Sequence, residues 1–216
     1  MYESLAVKTL LILGATGKVG QQALAQALAH PQVGLVVAPT RRALPPNAKL
    51  LNPIVDYKAL PSAPWWHADA CLCALGTTQR QAGSKPAFFE VDHDHVLAAA
   101  RLAREAGTPA FVRNSSLGAN ACAGNFYQQV KGQTEDDLAA IGFASLTLVR
   151  PSLLDGGPRS DARPAEALSL LLVKAAGRLV PRRYRAVTTD AVARSMLASA
   201  LAAVPGRHVI ESGDLS

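Results

Sequence analysis

The sequence predicts a doubly wound α/β fold with a mostly parallel sheet, and three observations carry that prediction. Aliphatic runs of strand length alternate with helical patterns of a dozen or more residues. The runs are nearly continuous instead of alternating with polar residues, as expected of strands buried on both faces. The first of them opens directly onto a glycine-spaced turn and an alanine-leucine helix.

In chain order, residues 7–13 form the first strand and 18–29 the helix after it, which His30-Pro31 ends. Residues 33–38 are the second strand. A proline-rich link (Pro39, Pro45, Pro46) leads to a short third strand at 53–55 that ends in Asp56. Residues 69–75 (DACLCAL) are a buried strand, followed by the loop GTTQRQAGSKP. Pro86 suits the first turn of a long helix that reaches about residue 106, where Gly107 and Pro109 stop it. A strand at 110–114 precedes a helix over 125–141, capped by Asn125 and ended by Gly142. After the strand at 145–149 the pattern turns irregular, with helices near 163–177 and 188–203 and a strand at 208–210. The breaks are too short to be linkers, so residues 1–216 read as a single domain, with 151–216 forming a substrate lid built onto it.

The chain has 216 residues, 49% hydrophobic and 18% charged, which is the composition of a globular core and excludes large-scale disorder. Its three cysteines, Cys71, Cys73 and Cys122, are too few for a disulfide framework and indicate a reducing compartment. The start reads as free of a secretory signal, and the apolar stretch 165–180 is broken by Lys174 and Arg178 and falls short of a span. The expectation is a cytoplasmic protein with no membrane span. A net charge of +6 without aromatic interleaving fits a solvated basic surface and an anionic small molecule, not nucleic acid.

The turn after the first strand reads Gly14-Ala15-Thr16-Gly17-Lys18-Val19-Gly20. A parallel strand feeding a helix leaves the first helical amides unpaired above the sheet, where they and the helix dipole suit a pyrophosphate. Glycines at three-residue spacing close the turn, admit the phosphates and let the helix pack close. A phosphate loop of the nucleotide-hydrolase type needs a wider glycine spacing and Ser or Thr after the lysine, and Val19 supplies neither. The fold is therefore Rossmann-like. At the end of its second strand an acid would bind the ribose 2′-hydroxyl of NAD, whereas arginines would bind the 2′-phosphate of NADP. The residues there are Thr40, Arg41 and Arg42, so NADP(H) is favoured over NAD(H), the alternative being that both arginines are solvated loop charges.

Tyr127 and Lys131 form a YxxxK pair on one helix face, where the ammonium favours the phenolate. Asn114-Ser115-Ser116-Leu117-Gly118 ends the strand before that helix. The glycine spacing resembles that of extended and atypical short-chain dehydrogenase/reductases. Three stretches, CLCALGTTQRQAGSKPAFFEVDHDHVLAAARLA, NSSLGANACAGNFYQQVKGQ and LVRPSLLDG, resemble the TIP30 (HIV-1 Tat-interacting protein 2) group of atypical members, over roughly residues 7–160 and most strongly over 71–160. The resemblance implies an oxidoreductase in which Tyr127 exchanges the proton, Lys131 also holds the nicotinamide ribose, and Ser116, favoured over Ser115, polarises the substrate carbonyl. It further implies that Leu75, Gly76, Thr77, Thr78 and Ser115 lie along the cofactor, that Pro151 and Leu153 close on the nicotinamide, and that Asp56 meets the adenine amino group or is a turn residue. The substrate is a small carbonyl or alcohol; a homodimer or a protein partner stays open. A second reading is a non-catalytic NADPH-binding regulator acting through such a partner.

Other features are discounted. Asp92-His93-Asp94-His95 lies in a helix, where residues two apart diverge, and is read as a solvated polar face and not a metal site. Cys71 and Cys73 are placed on opposite faces of their strand as small core residues. Trp65 and Trp66 cover the sheet edge or bind a partner. The apolar stripe 165–173 lines a pocket or packs in the lid.

Overall fold

The computed structural model describes residues 7–155 and 181–215. Five aliphatic strands make the body of a parallel sheet: β1 (Lys8–Leu13), β2 (Val33–Val37), β4 (Ala70–Cys73), β5 (Ala110–Asn114) and β6 (Ser145–Arg150). β3 (Leu50–Leu51) and β9 (Gly206–Glu211) edge it, giving seven parallel strands in the order β3-β2-β1-β4-β5-β6-β9. The order reverses at β1, and the crevice above that reversal is where ligands bind in such folds. A separate parallel pair, β7 (Leu154–Asp155) and β8 (Val187–Thr188), lies outside the main sheet.

Both faces of the sheet are covered. On one, α1 (Lys18–Ala29) and α6 (Thr189–Ala202) bury Ala23, Ala27, Val192 and Met196 against Leu10, Ile12, Val36, Leu72 and Val112. On the other, α4 (His95–Glu105) and α5 (Phe126–Ile141) bury Val96, Ala100 and Leu138 against Leu11, Leu13, Phe111 and Leu148. This two-sided burial explains the unbroken aliphatic runs.

The structure corrects several expectations. The third strand is Leu50–Leu51, while Ile54 makes only an isolated bridge to Thr40. Cys71 and Cys73 share one face, the α4–α5 side, because the two-residue period of a strand returns every second side chain to the same side. The long helix is divided: α3 (Lys85–Phe89) passes through a π-helical turn at Glu90–Asp94 into α4. That widened turn sends Asp92 into the interior, fully buried, so the supposed polar face is half wrong. His93 is half-buried between Asp94 and Asp137, and no metal-binding cluster occurs among the described residues.

Trp66, in the short turn Pro64–Trp66, is buried under the α4–α5 side and donates from its indole to the Pro61 carbonyl. The expected helix at 163–177 and the stripe 165–173 fall outside the described residues. No helix among the described residues is long and apolar enough to cross a membrane.

Candidate functional site

The glycine turn is shaped by close approach. Gly14 has φ +78°, and a Cβ there would stand 2.6 Å from the Leu75 amide nitrogen, so the turn rests directly on the backbone leaving β4. A Cβ on Gly20 would stand 2.0 Å from the Gly14 carbonyl oxygen, which lets α1 press onto its own turn. Gly17 caps α1 without any side-chain hydrogen bond. Ala15 and Val19 point into the core, while Thr16, Gly17 and Lys18 form the exposed rim. These residues fit a pyrophosphate cradle.

At the end of β2, Thr40 is buried and its hydroxyl donates to the Arg42 carbonyl (2.6 Å), which folds the turn so that Arg41 and Arg42 stand exposed. Asn52 secures the turn by donating to Thr40 Oγ1 and the Ala38 carbonyl. Asp56 is exposed and accepts from the Lys58 amide, a turn-forming contact. Beside it Tyr57 is buried and donates to the Pro39 carbonyl (3.0 Å); burial pushes its phenol well above the usual range.

The catalytic candidates come from β5 and α5. Asn125 caps α5 through the Gln128 amide (2.9 Å), which places Tyr127 in the first turn and Lys131 one turn on. Lys131 Nζ stands 5.6 Å from the Tyr127 ring centroid, and the ring packs on Phe88 at 5.5 Å. The loop after β5 is tied to the same turn: the Asn120 amide donates to the Gln128 carbonyl, and Gln128 Nε2 to the Leu117 carbonyl. Helix and loop meet so closely that a Cβ on Gly132 would stand 2.1 Å from the backbone of Asn120 and Ala121.

The two serines separate. Ser115 is buried and its hydroxyl donates to Glu135 Oε1 at 2.5 Å. Glu135 also holds Arg150, through Nε at 3.1 Å and Nη2 at 2.5 Å, and this pairing raises the arginine's already high pKa. Ser116 carries a half-buried side chain at the mouth of the loop, and its carbonyl accepts from the Ala119 amide. Beyond β6, the Pro151 carbonyl accepts from the Leu117 amide (2.8 Å), so Pro151 backs the serine loop; Leu153 is exposed and bonds through its carbonyl to the Val187 amide.

One residue of the site was missed from the sequence. Asp92 Oδ1 stands 2.6 Å from Lys131 Nζ and 3.7 Å from Arg113 Nη2, and Oδ2 accepts from the Thr77 amide at 2.7 Å. The lysine contact is an ion pair. Leu75, Gly76 and Thr77 are drawn over this carboxylate, and Arg113, buried beneath, donates to the Leu75 carbonyl. Thr78 turns outward to cap α2 (Gln79–Ala82). A fully buried acid in a polar stretch has no periodic signature; the only sequence hint was that DHDH interrupts an apolar helix.

Glycine turn, serine loop and YxxxK helix therefore converge at one end of the sheet. The protein fmp52, mitochondrial, of Aspergillus clavatus is 33% identical over 210 residues, covering 90% of this chain and 88% of the relative. HTATIP2 of Rattus norvegicus is 35% identical over 168 residues, covering 75% and 69%. The chain belongs to the Fmp52/HTATIP2 family. This is the TIP30 group that the sequence resembles. No family model matches. Among solved structures, MoeE5 in complex with UDP-glucose and NAD superposes with a TM-score of 0.69 at 18% identity, over 93% of this chain and 74% of that one. That likeness establishes the Rossmann-like fold. The cytoplasmic expectation is corrected by the Fmp52 relatives, which are named mitochondrial proteins. Cysteine usage excluded oxidising compartments only, and so never separated the cytoplasm from the interior of an organelle.

Proposed function

We propose that the protein is an NADP(H)-dependent oxidoreductase that transfers hydride between nicotinamide and a small carbonyl or alcohol. The reading rests on one observation above the rest: Tyr127 and Lys131 share a helix face whose lysine is tied, through Asp92, to the loop that touches the glycine turn. In the direction of reduction, a nicotinamide held there would supply hydride for the carbonyl carbon. Tyr127 gives its phenolic proton to the carbonyl oxygen and Ser116 donates a hydrogen bond to it. Lys131, on the same helix face, would hold the ribose. Arg41 and Arg42, with no acid at the end of β2, support NADP(H) over NAD(H).

Calorimetric titration with NADPH and NADH, on the native chain and on Arg41→Ala/Arg42→Ala, tests the cofactor. The expected result is tight NADPH binding that the double variant weakens by about 10–100-fold, with NADH unaffected. Equal native affinities would overturn the 2′-phosphate assignment. A panel of aldehydes, ketones and UDP-glucose, the ligand of MoeE5, then tests turnover. Tyr127→Phe should lower kcat by roughly 100-fold or more with cofactor affinity retained. Binding without turnover of any panel member would instead support a regulator acting through a protein partner.

A further inference from the structure

The buried carboxylate of Asp92 faces two donors with its two oxygens, and this arrangement restricts what can stand there. Oδ1 lies against the Lys131 ammonium and Oδ2 against the Thr77 amide. An asparagine has one acceptor and one NH₂ group, so in either orientation it would turn N–H bonds toward an ammonium or a backbone N–H. A carboxylate instead presents an oxygen, and no N–H, to both sides. The backbone is built around it: the π-helical turn at Glu90–Asp94 aims the side chain inward, and a Cβ on Gly76 would come within 3.2 Å of Oδ1. Lys131 is itself more than nine-tenths buried, and among the described residues its acidic partner is this one.

We infer that Asp92 is a positioning residue that acts through Lys131. It holds the ammonium on the floor of the crevice and, through the Thr77 amide, sets the loop after β4 in register with it. The lysine that would hold the ribose and the loop that would lie along the cofactor are thus fixed to one another before any ligand arrives, and binding need not order them separately. Arg113 supports the clasp from below, since it pairs with Oδ1 and donates to both the Asp92 and Leu75 carbonyls. This inference rests on the cofactor reading proposed above.

A double-mutant cycle on cofactor affinity tests it without requiring a substrate. NADPH is titrated by calorimetry into the native protein, Asp92→Asn, Lys131→Met and the double variant, with thermal unfolding followed in parallel. Asp92→Asn should weaken NADPH by about tenfold or more, and the same change made in the Lys131→Met background should weaken it by less than about threefold. A purely structural aspartate would weaken binding equally in both backgrounds, and that result would overturn the inference, as would unchanged affinity in Asp92→Asn. If Asp92→Asn fails to fold because it strands a buried ammonium, the double variant removes that charge, and the comparison of Lys131→Met with the double variant still decides. A native protein that binds neither NADPH nor NADH would defeat the cofactor reading, and the role of Asp92 with it. Native binding with a flat cycle defeats the Asp92 assignment alone.

Discussion

Ser115 and Glu135 are joined from the end of β5 to the middle of α5 by a 2.5 Å hydrogen bond, and both are buried. That bond commits the Ser115 hydroxyl to the scaffold, while Ser116 beside it is half-buried. Ser116→Ala is therefore expected to lower turnover about 100-fold while leaving the unfolding midpoint unchanged. Ser115→Ala should do the opposite, costing roughly 1–3 kcal/mol of stability by removing one partner of a buried carboxylate. Parallel assays of kcat and urea unfolding separate the two; equal kinetic losses would show that the two serines share the role.

Gly132→Ala is expected to destabilise the protein by about 2–3 kcal/mol, although Ala is ordinarily the better helix former. The added methyl would meet the backbone of Asn120 and Ala121 at 2.1 Å, and neither strand of chain can yield without moving the serine loop off α5. Urea unfolding measures the loss. A more stable Gly132→Ala protein would contradict the close packing described here.

Thiol reactivity should divide the cysteines. Cys122 is exposed, whereas Cys71 and Cys73 are fully buried, and burial together with the neighbouring Cys73 pushes the Cys71 thiol far above its ordinary 9.0. A disulfide reagent at pH 8 should titrate one thiol in the folded protein and all three in denaturant. Rapid reaction of a second thiol in the native state would show that the sheet opens there.

Stability should fall at alkaline pH. Tyr57 and Cys71 hold their protons more tightly when folded than their ordinary values of 10.0 and 9.0 allow. The stabilisation is complete below those values. Above them the unfolded chain ionises first, and the stabilisation is lost as pH climbs toward the folded values. The melting temperature measured between pH 8 and pH 11 should decline, and Tyr57→Phe should flatten the decline. A flat profile in the native protein would show that neither group is protected.

The sequence made legible whatever depends on near neighbours. Gly14, Gly17 and Gly20 marked the turn, and Tyr127 and Lys131 the helix face, because three- and four-residue spacings are local geometry. Asp92 was hidden for the opposite reason. Its burial depends on a widened helical turn and on partners at positions 77 and 131, and no regular period anticipates either. Ser116 is favoured over Ser115 by resemblance alone, because strand alternation ends where they begin; Glu135, twenty residues on, takes the Ser115 hydroxyl. The third strand was misplaced because two residues carry too short a pattern to register.

The order of strands also has a history in time. β6 pairs on one side with β5, which precedes it, and on the other with β9, the last strand in chain order. During synthesis at ~5–20 residues per second, the aliphatic flank of β6 stays unpaired for roughly 3–12 s before its neighbour emerges. An open strand edge is a template for misassociation with other nascent chains. The polar character of β9 (Arg207, His208 and Glu211) then makes the finished edge far less adhesive than the one it covers. Translation that stalls between the two strands would leave a chain prone to clumping.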